Sequence, residues 1–392
     1  VRDVPRVVWA LAAARFVGSM SSFLMLFLTL YLTGPRALPV AGAGLVAGAS
    51  GAGLLLGNLT GGRWGDRHGH RRVLLSASTV AGLGVTAVPW LPVWALVVGL
   101  PAFSYLSATA GVSTGALVAL AVPRGDRRTS VAIGRAASNA GFVIGPPLGA
   151  LLVAHSWPAL FVVDGSLTVL VALAVCSVLP RDTAAGAGHA GPGLWTALRA
   201  DRGLVTLLTA VVLVDLVYRQ LYTTVPVHLR DAGQPIALYT TLIAVGSGLI
   251  LLLEVPVALA LRRRSSYPII AAGYALVGVG AAAFGLPVSA VSAVAAMVVL
   301  TAGEILYKTT ATAHVLDAAP DHLVGQYQGL YTGASTSGSL LAGPVGGTVY
   351  AVAPGALWPL CGVLCVAAAL IVLGSSPAVG RRDSALLRRR SR

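Results

Sequence analysis

Long apolar stretches alternate with short polar breaks along nearly the whole chain. A helix needs roughly 20 residues to cross a bilayer. Twelve stretches are of that order, at about 7–33, 41–62, 73–91, 94–121, 129–153, 157–179, 204–229, 237–261, 267–286, 288–313, 326–351 and 355–374. The breaks between them carry glycine, proline and charge, as expected where a chain leaves lipid for water. The only long internal polar stretch runs from Pro180-Arg181-Asp182 through Gly191-Pro192-Gly193 and separates six spans from six. The pattern predicts an all-α membrane protein with a six-helix bundle over 1–180 and a cytoplasmic linker over 181–203. A second six-helix bundle is expected over 204–376, and a basic cytoplasmic tail over 377–392.

Composition changes this picture little. Only 10% of residues are charged, 56% are hydrophobic and the mean hydropathy is +0.83, so a chain of 392 residues could not solvate its surface as a soluble protein. The first span has no small-residue cleavage site beside it and is expected to be retained as a helix. The net charge of +14 does not point to nucleic acid, because the basic residues sit in the breaks and the tail. With both termini placed in the cytoplasm, the inside segments hold 21 of the 27 basic residues and the outside loops only Arg36 and Arg230. That asymmetry predicts a multi-pass protein of the plasma (inner) membrane with both ends cytoplasmic. Cys176, Cys361 and Cys365 all lie in apolar spans and imply neither a disulfide framework nor a metal site.

The most specific motif is Gly62-Arg63-Trp64-Gly65-Asp66-Arg67-His68-Gly69-His70-Arg71-Arg72, between spans 2 and 3. So much charge in so few residues predicts a tight loop at the membrane surface. The pattern Gly-x-x-x-Asp-Arg-x-Gly-x-Arg-Arg, filled by Gly62, Asp66, Arg67, Gly69, Arg71 and Arg72, resembles the loop between helices 2 and 3 of the major facilitator superfamily. The resemblance implies the twelve-helix major facilitator fold of two parallel-related bundles. It also implies that this loop latches the outward-open state, with Asp66 capping the start of the eleventh helix. The companion arginine that the family carries in span 4 is missing here, and Arg124, Arg127 or Arg128 could substitute for it.

Two further segments point the same way. Gly145-Pro146-Pro147-Leu148-Gly149 in span 5 recurs as Gly343-Pro344-Val345-Gly346-Gly347 in span 11, and the Gly-Pro pairs are 198 positions apart. Six spans per repeat keep both copies in one orientation, as in transporters whose halves rock about a central site. Gly141, Gly145 and Gly149 form a smooth i, i+4, i+8 face beside the Pro146 bend, which lets another helix approach closely. This span resembles the span-5 motif of the family's antiporter branch, which implies export.

Ionisable residues at membrane depth are costly, and they are usually paired or functional. Asp215 and Arg219 lie one turn apart in span 7, and Glu304 and Lys308 one turn apart in span 10. Glu254 falls in span 8, Arg135 in span 5 and Arg15 in span 1. In one reading each i, i+4 pair neutralises itself. In the other, a carboxylate without a permanent partner takes up a proton from one side and releases it to the other. The proton-coupling candidates are Glu304, then Asp215, then Glu254, with Arg15, Arg219, Lys308 and Arg135 as their charge partners. Drug antiporters of the family often carry the coupling carboxylate in span 1, where this chain has Arg15. Asp164 in span 6 is expected to be peripheral. Spans 1, 4, 7 and 10 line the cavity in the family fold, which makes Phe23, Phe27, Tyr218, Tyr222 and Tyr307, with Asn139 of span 5, the substrate-pocket candidates.

The sequence carries no ATP-binding loop, metal cluster or nucleophile with its base. The expected function is secondary transport without a cofactor, driven by a proton gradient, and not enzymatic. The partners would be protons, a small-molecule substrate and the lipid bilayer, and the expected state is a monomer. Efflux of amphiphilic drugs or natural products leads. Symport of a sugar, nucleoside or amino acid into the cell is the alternative, with lipid flipping behind it.

Overall fold

The protein is described by a computed structural model over residues 4–124, 126–179 and 194–375. The first half contains α1 (Arg6–Met20), α2 (Phe23–Thr33), α3 (Val40–His68), α4 (His70–Ala87), α5 (Val93–Ala121), α6 (Arg127–His155) and α7 (Trp157–Val178). After the short α8 (Leu194–Ala200), the second half contains α9 (Arg202–Tyr218), α10 (Gln220–Thr223), α11 (Val225–Asp231) and α12 (Ile236–Ala260). It continues with α13 (Ser266–Ala283), α14 (Ala290–Ala318), α15 (Val324–Val352) and α16 (Pro354–Gly374). Among the described residues, ten helical stretches are long and apolar enough to cross a membrane. The two remaining expected spans are the broken α1–α2 pair and α15, whose 29 residues are rich in glycine, serine and threonine. Most of the expected linker and the whole basic tail lie outside the described residues.

Large apolar side chains stay exposed around the bundle, among them Val352 (83%), Val291 (80%) and Trp94 (74%). In water such a surface would aggregate, and in lipid it is already solvated. Cohesion therefore comes from close packing and from buried polar contacts. The second half has one continuous apolar core, which reaches across to Ala116, Ala119 and Val131 of the first half. The first half instead has two clusters, one around Leu28, Tyr31 and Phe161, the other around Leu11, Leu74 and Cys176.

Two expectations change in detail. The eleven-residue charged segment after span 2 is helical almost throughout, because α3 continues to His68 and α4 begins at His70. Only Gly69 turns the chain, at φ 94°, a conformation that glycine adopts without strain. Spans 1 and 7 are not single helices. The first breaks at Ser21–Ser22, where the Ser22 hydroxyl donates to the Gly18 carbonyl (2.7 Å). The seventh breaks at Arg219, where the Gln220 amide donates to the carbonyls of Leu216 (3.2 Å) and Ala342 (3.0 Å).

Ser21 and Arg219 are 198 positions apart, the offset of the Gly-Pro pairs. Each break lies on its own half's Gly-Pro helix. A Cβ on Gly141 would collide with the backbone of Phe16 and Met20, and one on Gly145 with the Met20 carbonyl. In the second half a Cβ on Gly338 would meet the backbone of Val212 and Leu216, and one on Gly346 the Gln220 amide. The repeat is thus a repeated device, a broken span seated on a smooth glycine face. Gly141→Val should force α6 away from α1, lowering stability by about 1–3 kcal/mol. A thermal melt of the purified protein checks it, and an unchanged midpoint would count against the close contact.

Candidate functional site

The membrane-embedded charges form one chain of contacts where the halves meet. Arg135 of α6 donates to Glu254 of α12 from Nε to Oε1 (2.8 Å) and from an η-nitrogen to Oε2 (3.4 Å). The same guanidinium reaches Glu304 of α14 at 3.2 Å. Lys308, one turn beyond Glu304, lies 3.9 Å from it and 3.5 Å from Asp215 of α9. Tyr307 donates to Asp215 Oδ1 (2.6 Å), Thr309 donates to Glu254, and the Lys308 ammonium lies 4.1 Å from the centre of the Tyr218 ring. Three carboxylates face two cations, so with every group ionised the cluster carries one surplus negative charge.

Arg135 is the cluster's only member from the first half, and it alone ties the halves together there. The three acids differ in how they are held. Glu254 is wholly buried between Arg135 and Thr309, while the Glu304 side chain keeps 7% exposure. Asp215 is 1% exposed, and its Oδ2 has no hydrogen-bond partner.

Two cavities lie near this chain of charges, and the smaller adjoins it. One of about 500 Å³ lies within the first half, among α1, α4, α5 and α7, and it touches residues of both apolar clusters there. Small and hydroxyl-bearing residues dominate its polar lining, including Ser19, Ser78, Ser104, Ser107 and Thr114. A second cavity, of about 310 Å³, lies between the halves against Arg135, Lys308 and Tyr331. Arg15, Asn58, Gln328 and Thr332 line both and form their common wall.

Several sequence expectations are redrawn. Asp215 pairs with Lys308 rather than with Arg219. Arg219 sits at the helix break, exposed, donating to Ser339 (2.9 Å) and lying 5.3 Å from the Tyr222 ring centre. Arg15 holds none of the three acids and makes no ion pair or side-chain hydrogen bond among the described residues; its side chain lies against Gly134 instead. Asp164 is not peripheral, since it lines the larger cavity.

None of the five pocket candidates with described side chains lines either cavity. Tyr307 is fully buried on Asp215 and Tyr218 is packed beneath Lys308. Tyr222 is 43% exposed, Phe27 joins an apolar cluster, and Asn139 bonds the Arg135 carbonyl (2.9 Å). The Phe23 side chain lies outside the described side chains. The sequence offers little to single out Asn58 and Gln328, the first a lone amide in span 2 and the second one of two glutamines at the start of span 11.

At the end of the bundle that carries Gly69, the halves are zipped together. Asp66 Oδ1 accepts from the Gly325 amide (2.8 Å) and Oδ2 from the Gln326 amide (2.9 Å), so Asp66 caps α15 from another helix. His70 lies 3.1 Å from the same carboxylate. A Cβ on Gly62 would strike the Gly325 carbonyl. Arg124 pairs with Asp321 (2.9 Å), Arg127 bonds the Leu316 carbonyl and lies 3.7 Å from Asp317, and Arg128 bonds the Leu261 carbonyl and Ser266 (2.9 Å). All three arginines therefore cross between halves where the span-4 arginine is missing. Arg71 instead donates to the Cys176 carbonyl within the first half (2.9 Å), and Arg67 is exposed.

Comparison with known proteins places these features in context. Residues 10–344 match the family described as Major Facilitator Superfamily. An uncharacterised MFS-type transporter, YttB of Bacillus subtilis (strain 168), is 24% identical over 359 residues, covering 88% of each chain. The crystal structure of FucP in the outward conformation superimposes with a TM-score of 0.75 at 14% identity, covering 95% of this chain and 99% of that one. The human organic anion transporter MFSD10 (TETRAN) gives a TM-score of 0.74 at 15% identity, over 94% and 99% of the two chains. The proton:xylose symporter XylE gives 0.72 at 14% identity, over 95% and 96%.

A carboxylate on the first amides of a helix is favourable through both hydrogen bonding and the helix dipole. Asp66→Ala should cost the closed end about 1–2 kcal/mol, shifting its opening equilibrium by about tenfold. Spin labels at Arg67→Cys and Arg263→Cys, on opposite halves of this end, should then report a longer-distance population. An unchanged distribution would count against the cap as a latch.

Proposed function

Because the chain belongs to the major facilitator superfamily, a family of secondary transporters, we propose that it exports amphiphilic small molecules in exchange for protons by alternating access. The observation that carries this reading is the cluster in which Arg135 joins the two halves through Glu254 and Glu304.

Rocking the halves apart at this point must separate Arg135 from acids on the other half. Parting a buried ion pair strands a charge at a cost of about 3–5 kcal/mol. A proton delivered to Glu304 removes one of the two attractions and also cancels the surplus negative charge. Glu304 suits the role because its side chain retains some exposure, whereas Glu254 is closed off. Asp215 is the second candidate, because its unpartnered Oδ2 offers a proton a site that breaks no bond. Lys308, between Glu304 and Asp215, would then lean toward whichever acid stays ionised. Protonation thus frees the motion, and deprotonation holds the halves together.

The asymmetry of the basic residues supports cytoplasmic ends, and with that orientation the Asp66 latch closes the cytoplasmic side. Export draws support from the α6 glycine face, which seats the break in α1. A second reading, symport of a sugar, nucleoside or amino acid into the cell, gains from the hydroxyl-rich lining of the larger cavity.

Proteoliposomes decide between these readings. Under antiport, acid-inside vesicles accumulate a fluorescent amphiphile, by up to about tenfold per pH unit for one-for-one exchange. Accumulation in alkaline-inside vesicles would establish symport instead, and indifference to the gradient would end the coupling argument. Glu304→Gln and Asp215→Asn, tested separately, should include one variant that binds substrate and equilibrates it without accumulation. Full coupled transport in both would displace the site.

A further inference from the structure

Arg15 is left over by the coupling mechanism. It sits in the membrane-embedded part of α1, and the charge that acts on it is the like charge of Arg135. Arg135 is satisfied by two carboxylates, and Arg15 by none. A guanidinium carries five N–H donors in a fixed fork that matches a carboxylate. Half-buried and without an acceptor among the described residues, such a group has hydrogen-bonding capacity to spare. The unused donors belong to a residue that lines both cavities.

A second group on the same wall points to a ligand independently. Gln328 of α15 is only 4% exposed, lines both cavities and has an Oε1 atom without a hydrogen-bond partner. The remaining wall residues are already engaged, since Asn58 donates to Thr336 (2.9 Å) and Thr332 donates to the Gln328 carbonyl (2.9 Å). The wall therefore presents one free cation and one free acceptor. Beyond it the larger cavity offers about 500 Å³ and mixes serine hydroxyls with Leu11, Leu54, Leu74 and Val171.

We propose that the wall between the two cavities binds an organic anion, with Arg15 taking a carboxylate or an equivalent oxyanion and Gln328 Oε1 accepting a hydrogen bond from a neighbouring N–H or O–H of the same molecule. The apolar body of the ligand occupies the larger cavity. This inference deepens the transport reading, on which it rests, by naming the charge of the substrate. Arg15 comes from the first half and Gln328 from the second, so a ligand held by both belongs to the closed arrangement of the wall.

The test is a matched pair of fluorescent probes, dansylglycine and its neutral amide, titrated into the purified full-length protein in lipid nanodiscs. Dansylglycine carries a carboxylate and a sulfonamide N–H on an apolar ring system. It should bind the wild type about tenfold to a hundredfold more tightly than the amide, the range expected for a hydrogen bond to a charged group. Arg15→Gln should erase that preference while leaving amide affinity unchanged, and Arg15→Lys should keep part of it. Gln328→Leu should weaken both probes alike. A purely structural Arg15 would move the melting temperature but not the ratio between the probes. Equal binding of the two probes to the wild type, or an anion preference that survives Arg15→Gln, overturns the proposal and leaves amphiphile transport standing. Failure of dansylglycine to bind overturns the proposal, and failure of both probes counts against amphiphile transport as well. Should Arg15→Gln not fold, the ratio in the wild type decides alone.

Discussion

A charge sealed inside a membrane protein must have a counter-charge in every conformation that the protein visits. Arg135 meets that demand from the far side of a moving interface, because both of its carboxylates belong to the other half. Elsewhere in the protein a helix can shift and exchange one apolar contact for another at little cost. Here it cannot, since separation leaves ions without water or partners. Under the proposed coupling, a titratable acid within this interface controls whether the halves can part. The same constraint explains why the acids are unequally held. The wholly buried Glu254 is the nearer partner of Arg135, at 2.8 Å against 3.2 Å for Glu304. An equally closed Glu304 would have no route to a proton.

The two halves repeat one mechanical device and diverge in what surrounds it. In each, a broken span rests on a glycine face with backbone against backbone, and the breaks fall at the same offset as the Gly-Pro pairs. Close-packed backbones transmit displacement well because no side chain intervenes to absorb it. The second half is filled by a continuous core that also carries all three acids of the cluster. The first half is hollow, its core parted into two clusters beside a cavity. The buried acids and most of the larger cavity thus lie in different halves, with Arg135 and Arg15 as the first half's cations at the boundary.

The sequence was most readable where a long-range rule applied. Bilayer thickness sets span length, so helix ends such as Val93–Ala121 and Trp157–Val178 fall within a residue of their expected places. The Asp66 cap on α15 was likewise implied by the family motif. The reading failed where partners depend on which way one helix face points. Asp215 and Arg219 are spaced as a pair, yet Arg219 is the residue at which the helix breaks, and nothing local signals a break inside Leu216-Val217-Tyr218-Arg219-Gln220. Aromatic residues on presumed cavity helices looked like a pocket, but Tyr307 and Tyr218 serve the charges instead. The cavities are lined by Ser, Thr, Asn and Gln, residue types too common in membrane helices to be singled out by position alone.

The latch and the ligand wall lie one helical turn apart on the same two helices. Asn58 precedes Gly62 and Asp66 on α3, and Gln328 follows Gly325 and Gln326 on α15. Between them α15 presents Gly325, Gly329 and Gly333 to α3, and a Cβ on any of these would strike the opposing helix. Gly325 and Gly329 meet backbone of α3 and Gly333 meets Leu59, so the contact leaves little room for the two helices to part at one point alone. A ligand spanning Arg15 and Gln328 would consequently act on the Asp66 cap through about 5 Å of helix, with no further relay required. On the proposals above, a proton at Glu304 or Asp215 and a ligand at Arg15 would both bear on the same closely packed seam.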